Sequence, residues 1–235
     1  MASMRTVEIL SQVAADHPEP DELCQRLVQA CVDALPVTGV GMVLMTDFGP
    51  AGVVAVTDGP AATMEELQFT LGEGPCVECS RTGRPVLQPD LAASGPSRWP
   101  GFSAGALEAG IRAIFALPLR VGGIRLGVLD LYRDEPGDID EKGLEEALHF
   151  ADAATALLLH LQSLAPAGTD VLAVPVLEDR AEVHQATGVV SVQADVPLPH
   201  ALALLRARAY AAERPVLDLA RAVLDGELRF DGDDD

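Results

Sequence analysis

The chain has 235 residues, 49% of them hydrophobic, with 16 basic groups against 36 acidic ones and a formal charge of -20. That apolar share supports ordinary packed cores and excludes a wholly disordered chain, while the negative charge opposes nucleic-acid binding through bulk electrostatics. It holds no run of about 18 apolar residues, and the start MASMRTVEILSQ lacks the basic-then-apolar order of an export signal; no membrane association and a cytoplasmic location are therefore expected.

The segments RTVEILSQVAAD and PDELCQRLVQACVDALP have helical spacing, the second opening on Pro20 and Asp21 and closing at Pro36. GVGMVLMTD and GVVAVTD follow, short and rich in β-branched residues, with FGPA between them as a hairpin turn. VLQPDL predicts a further strand, and IRAIFALPLRV with IRLGVLDLYR predicts a second hairpin around Gly122 and Gly123. The helix DEKGLEEALHFADAATALLLHLQ aligns Leu144, Ala147, Leu148, Ala151, Ala154, Leu158 and Leu161 on one side, a stripe able to close the sheet and to pair with a second copy. Residues 4–163 thus predict an α+β domain with an antiparallel sheet flanked by helices. SLAPAGTDVLAVP supplies a connector over 164–179.

Residues 180–230 predict three short helices in which basic and acidic groups balance, so any nucleic-acid contact there must be local. RAEVHQATGVVSVQ places Val183, Ala186 and Val190 on an apolar face, with Arg180, His184, Thr187 and Ser191 on a polar one. PHALALLRARAYAAER directs Leu202, Leu205, Ala209 and Ala212 inward and sets Arg206, Tyr210 and Arg214 four residues apart on another side. VLDLARAVLDGEL is amphipathic and ends near Gly226, a helix-terminating position. The tail 231–235, with four aspartates, predicts a solvated end.

Two constellations bear on chemistry. Cys76 and Cys79 form a C-x-x-C pair, open to redox switching, to metal binding with further ligands, or to burial as small apolar groups. Cys24 and Cys31, seven apart on one helix, do not establish convergence with that pair, and no metal site is assigned. Trp99 lies between two prolines in SGPSRWPGF and either walls a ligand pocket or covers the core under a loop. The acidic group Asp130, Asp134, Glu135, Asp138 and Asp140 is too irregular for catalysis and suits a solvated loop, with Asp138 or Asp140 capping the next helix. Neither phosphate-loop, zinc-protease, nucleophile-elbow nor dinucleotide motifs occur, so no catalytic residue is assigned and an enzyme is not expected.

The order ELQFTLGEGPCVECSRTGRPVLQPDL, RWPGF and GIRAIFALPLRVGGIRLGVLDLYR resembles a GAF domain, in particular those preceding ANTAR modules in actinobacterial regulators. An actinobacterial, GC-rich source suits a chain whose one lysine is Lys142. This resemblance implies a sensor of a small molecule whose identity it leaves unknown, so no cofactor is assigned; cyclic nucleotides, tetrapyrroles, haem and metabolites are all family ligands. RAEVHQATGVVSVQ with HALALLRARAYAAERPVLDLARAVL resembles the ANTAR domain, an all-α three-helix RNA-binding module of antitermination regulators. Ala186, Gly188, Ala201, Leu205, Arg206 and Ala209 match its pattern, while Thr187 stands where many members carry lysine. The implied partner is a leader-RNA hairpin, met by Arg180, His184, Thr187, Gly188, Arg206 and Tyr210, in a homodimer. A DNA-binding helix-turn-helix regulator and a purely dimerising GAF protein are the alternatives.

Overall fold

The computed structural model describes residues 3–46, 49–57, 59–164, 179–212 and 214–230, without the side chains of Asp21, Asp179 and Arg180. Most of the expected connector and the whole acidic tail lie outside these residues. The chain falls into two compact units, one over Met1–Phe69 and Glu73–Val176, the other over Leu177–Asp235 with Thr70–Gly72.

The first unit opens with α1 (Met4–Val13) and α2 (Pro20–Ala34), followed by the strands β1 (Gly39–Thr46) and β2 (Gly49–Val56). Four short helices and a strand come next: α3 (Pro60–Leu71), α4 (Pro75–Thr82), β3 (Val86–Gln88), α5 (Leu91–Arg98) and α6 (Pro100–Glu108). The hairpin β4 (Ala113–Val121) and β5 (Ile124–Arg133) and the long helix α7 (Glu141–Leu164) complete it. All strand pairs are antiparallel, in the order β2-β1-β5-β4-β3.

Alternation along the strands divides the residues between the two faces of this sheet. Val40, Met42, Leu44, Phe115, Leu117, Leu119, Leu129 and Leu131 join one core with Leu27, Val28, Cys31, Phe150, Ala154 and Leu158 of α2 and α7. The stripe predicted on α7 is consumed here. Ala147, Ala151, Ala154 and Leu158 are buried, and of the seven only Leu148, at 42%, is exposed. Most of the stripe therefore closes the domain, and Leu148 is the part of it left at the surface. The same core encloses Cys24 and Cys31, and burial pushes the Cys24 thiol up to about 12.

Asp140 caps α7, accepting the Gly143 N–H at 2.7 Å. On the outer side of α7, Glu146 accepts two hydrogen bonds from Nε of Arg5 on α1, at 2.9 and 3.1 Å, which holds its carboxyl below the usual range.

In the second unit α8 (Asp179–Gln193), α9 (Leu198–Ala211) and α10 (Val216–Leu224) enclose Val183, Ala186, Val190, Ala201, Leu202, Leu205, Ala209, Val216, Leu219, Ala220 and Val223. Ala212, expected inward, is exposed at the C-terminal cap of α9. The backbone at Gly226, φ +77, is left-handed after α10 as the sequence predicts.

Candidate functional site

The second face of the sheet carries the chemistry. Opposite the apolar Leu129 and Leu131, strand β5 turns Asp130 and Tyr132 the other way, and both are fully buried. A carboxylate between two leucines in a central strand is unusual, since Asp is almost never fully buried without a partner. Asp130 pairs with Gly41 on β1 and Ala116 on β4, two residues too small to cover it.

Helices α3 and α4 supply the other groups. Glu65 and Gln68 lie on the buried side of α3, while Cys76 and Cys79 lie on that of α4. Helix α4 starts at Pro75, whose ring suits a first helical position. The preceding Gly74 has φ +134, a backbone conformation that side chains other than hydrogen rarely adopt, and a Cβ there would meet Gln68. A Cβ on Gly41 would collide with the Glu65 carboxylate, so this glycine leaves the space that the carboxylate fills.

These groups form a chain of hydrogen bonds. The Tyr132 hydroxyl donates to Glu65 Oε1 at 2.9 Å and accepts from Gln68 Nε2 at 3.1 Å. Gln68 Oε1 in turn accepts the backbone N–H of Cys76 at 2.8 Å, fixing the start of α4 against α3. Asp130 stands beside this chain, and the Cys76 thiol, a weak donor, is the one group among the described residues with a hydrogen-bonding influence on it. The ligating atoms of Glu65, Cys76 and Asp130 all lie within 4.8 Å of one another.

Electrostatics follow from this enclosure. Burial, reinforced by Glu65, raises the Asp130 carboxyl well above its usual range despite the opposing influence of the Cys76 thiol. Burial also raises the thiol of Cys76 and the phenol of Tyr132, with Asp130 the next cause for each. Protons thus stay on these groups when nothing else neutralises them. Such thiols are poor nucleophiles, because the thiolate is the reactive form. Cys79, also buried, is raised by burial and Asp130. Both members of the C-x-x-C pair therefore have the character of enclosed thiols, opposite to that of a low-pKa redox switch.

One side chain links this cluster to the surface. Met45 Sδ is 3.9 Å from Cys76 Sγ, and Met45 also lines an open cleft of about 410 Å³ with Thr46, Ser80, Gly123, Ile124 and Arg125. Trp99 is not part of that cleft. It joins α5 to α6, is buried, and donates from Nε1 to Glu78 Oε2 at 3.1 Å, while Glu78 Oε1 accepts Arg98 Nη2 at 2.7 Å. The Arg98 guanidinium lies 4.2 Å from the Trp99 ring centroid. Pro96, one of the two prolines that flank Trp99, is inside α5.

The candidates on the second unit separate. Tyr210 is 72% exposed, His184 and Arg214 are exposed, and Arg206 is half-buried. Arg180 belongs to α8, but its side chain lies outside the described residues. Thr187 departs from expectation: it is buried, and its hydroxyl donates to the Val183 carbonyl at 2.7 Å, so it is not on the polar face and does not present itself to RNA. Gly188 has open space where a Cβ would stand, so close packing of a neighbouring helix does not explain it.

The residues that sequence reasoning missed are Glu65, Gln68 and Tyr132, and it placed Asp130 in a solvated acidic loop. The available signal was the isolated acid in VLDLY, an interruption of an otherwise apolar strand.

Among the described residues no single helix is long and apolar enough to cross a membrane. No curated protein matches the sequence. Among solved structures, the chain resembles the GAF domain of a phosphoenolpyruvate-protein phosphotransferase from Acinetobacter, at 11% identity over 71% of this chain and 99% of that one, with a TM-score of 0.52. It also resembles the corresponding domain from Coxiella burnetii, at 18% identity over 68% and 96% of the two chains, with a TM-score of 0.53. Identities this low carry the fold alone. The sequence itself goes further, because residues 17–159 match the GAF domain model and make up more than half of the chain: the protein belongs to the GAF domain family.

Proposed function

We propose that this chain is a cytoplasmic, non-catalytic, homodimeric RNA-binding regulator, in which a signal received by the GAF domain governs recognition of leader-RNA hairpins by the C-terminal three-helix unit. The observation that carries the reading is the exposure of Tyr210, 72%, on a helix whose Leu202, Leu205 and Ala209 are buried. A large aromatic left in water on a small bundle with a satisfied core suits a partner that stacks against it, and unpaired bases in a hairpin loop do so. Ala186, Ala201, Leu205 and Ala209, the positions carrying the ANTAR resemblance, are all buried, as a packing signature requires. His184, Arg206 and Arg180 remain in the contact set, and the open space at Gly188 leaves room for close approach of an RNA backbone. Thr187 leaves the set.

A DNA-binding reading has one observation in its favour. Helices α8 and α9 turn by 106° across a short connection, within the range of helix-turn-helix pairs. The experiment that tests the first reading and separates the two is a salt titration of the full chain against stem-loop RNA and duplex DNA. RNA preference is expected, with a shallow salt slope because the unit's charges balance. Tyr210→Ala should weaken stem-loop binding about 5- to 150-fold, the loss of about 1–3 kcal/mol of base stacking. Duplex preference would support the second reading, and indifference to every stem-loop would overturn the first.

A further inference from the structure

We propose that Glu65, Cys76 and Asp130 form a binding site for a divalent transition-metal ion of the zinc and iron class, enclosed between α3, α4 and β5 of the GAF domain. The inference is independent of the RNA reading, because it concerns groups of the first unit alone.

Four observations converge on it. The carboxylate oxygens of Glu65 and Asp130 and the sulfur of Cys76 lie within 4.8 Å of one another, all in fully or almost fully buried residues. Asp130 is 0% exposed, and among the described residues the only hydrogen-bonding influence on its carboxyl is that of the Cys76 thiol, a weak donor. A buried carboxylate that a weak thiol donor serves poorly costs about 1–3 kcal/mol or more, and a cation between the three groups removes that cost. Glu65 is already oriented by the Tyr132 hydroxyl, itself held by Gln68, which is the outer support that ligating carboxylates receive in metal sites. Finally, Gly41 leaves a gap that any larger residue would close onto Glu65.

The donor set defines the class of ion. Two hard carboxylates with one soft thiolate suit a borderline divalent ion better than calcium or magnesium, which prefer oxygen alone, or copper(I), which prefers sulfur. Metal–oxygen and metal–sulfur bonds of about 2.0–2.3 Å place ligand atoms about 3.5 Å apart, so uptake draws together three groups that already lie within 4.8 Å of one another. Three protein ligands leave a coordination position for a further donor, as in reactive or sensory sites and unlike closed structural ones. Met45 is 3.9 Å from the Cys76 sulfur and on the wall of the open cleft, so displacement of its thioether gives a path inward. As the ion enters, Cys76 releases its thiol proton to solvent and coordinates as thiolate, and any proton held by the two carboxyls leaves with it.

The competing arrangement is a metal-free cluster in which the two carboxyls remain protonated or share a proton. The test uses the full chain, stripped by chelator under reducing conditions and titrated with Co2+. A thiolate-to-cobalt absorption should grow to saturation at a single equivalent and collapse when Zn2+ is added. Cys76→Ser should abolish the absorption, whereas Cys79→Ser should leave it as in wild type. Tyr132→Phe should weaken uptake about 10- to 100-fold, the usual effect of losing an outer support, and Asp130→Asn at least as much. Should Cys76→Ser fail to fold, Zn2+ retention by the near-isosteric Asp130→Asn variant, measured by elemental analysis after dialysis, decides the matter. Folded wild-type chain that takes up neither ion, absorption that survives Cys76→Ser, or undiminished Zn2+ retention by Asp130→Asn would overturn the proposal.

Discussion

The two units place their polarity oppositely. In the GAF domain Glu65, Gln68, Asp130 and Tyr132 are buried inside a layered α+β fold, whereas in the three-helix unit the interior is almost wholly apolar and Tyr210 stands in solvent. A layered domain has enough apolar surface on the other face of its sheet to tolerate costly buried groups. A short bundle has no such reserve, so its specific chemistry must be worn outside. The lesson is that the GAF domain keeps its distinctive polar groups inside, and the bundle shows its large aromatic outside.

The largest expected effect sharpens this contrast through the bundle's thin margin. Leu205→Ala removes a fully buried side chain and should cost about 2–5 kcal/mol, enough to unfold a unit of this size while leaving the GAF transition in place. Calorimetry checks it: one melting step should disappear and the other persist, and a single shifted transition would show that the units do not fold separately.

An intermediate effect is expected from Gly41→Ala. The added methyl runs into the Glu65 carboxylate, forcing a shift in a dense layer at about 1–3 kcal/mol, visible as a lower urea midpoint. Stability equal to wild type would mean that Glu65 moves freely, and the enclosed cluster would then lose its claim to rigidity.

The smallest effect belongs to the exterior of the same domain. The Glu146 carboxyl is lowered by its hydrogen bonds from Arg5, so its contribution to stability is present above its ordinary value of 4.5 and is lost as pH falls through the lowered folded value. Glu146→Gln should therefore reduce the melting temperature slightly near neutrality and not at all in strong acid. A variant curve parallel to wild type across that range would rule out the ion pair as the source. Pairs so exposed stabilise little, in contrast to the buried cluster.

Much of the scaffold was legible from periodicity. The β-branched runs located both hairpins and Gly122 with Gly123 the second turn, whereas Gly49, Pro50 and Ala51, expected in the first turn, belong to β2, which pairs with β1. Pro20, Pro36 and Gly226 marked helix boundaries, because these signals act over a few residues. The enclosed cluster was not legible because its members come from α3, α4 and β5 and meet only when β1 and β5 pair. In MEELQF, Glu65 looks like any acid on a helix surface, and Asp130 was grouped with the acids that follow it although the strand runs on through Tyr132 and Arg133. Thr187 failed for another reason. Packing between two helices buries a wider arc of α8 than its apolar residues trace, and a threonine enters that arc by turning its hydroxyl onto its own backbone.

The carboxylate of Glu78 clasps both Arg98 and Trp99, and Glu78 rides on the helix that carries Cys76. Because the chain has a single tryptophan, its emission is an intrinsic gauge of that helix: whatever tugs the sulfur-bearing segment away from the elbow between α5 and α6 severs the indole's tether and alters the light it returns, without any attached dye.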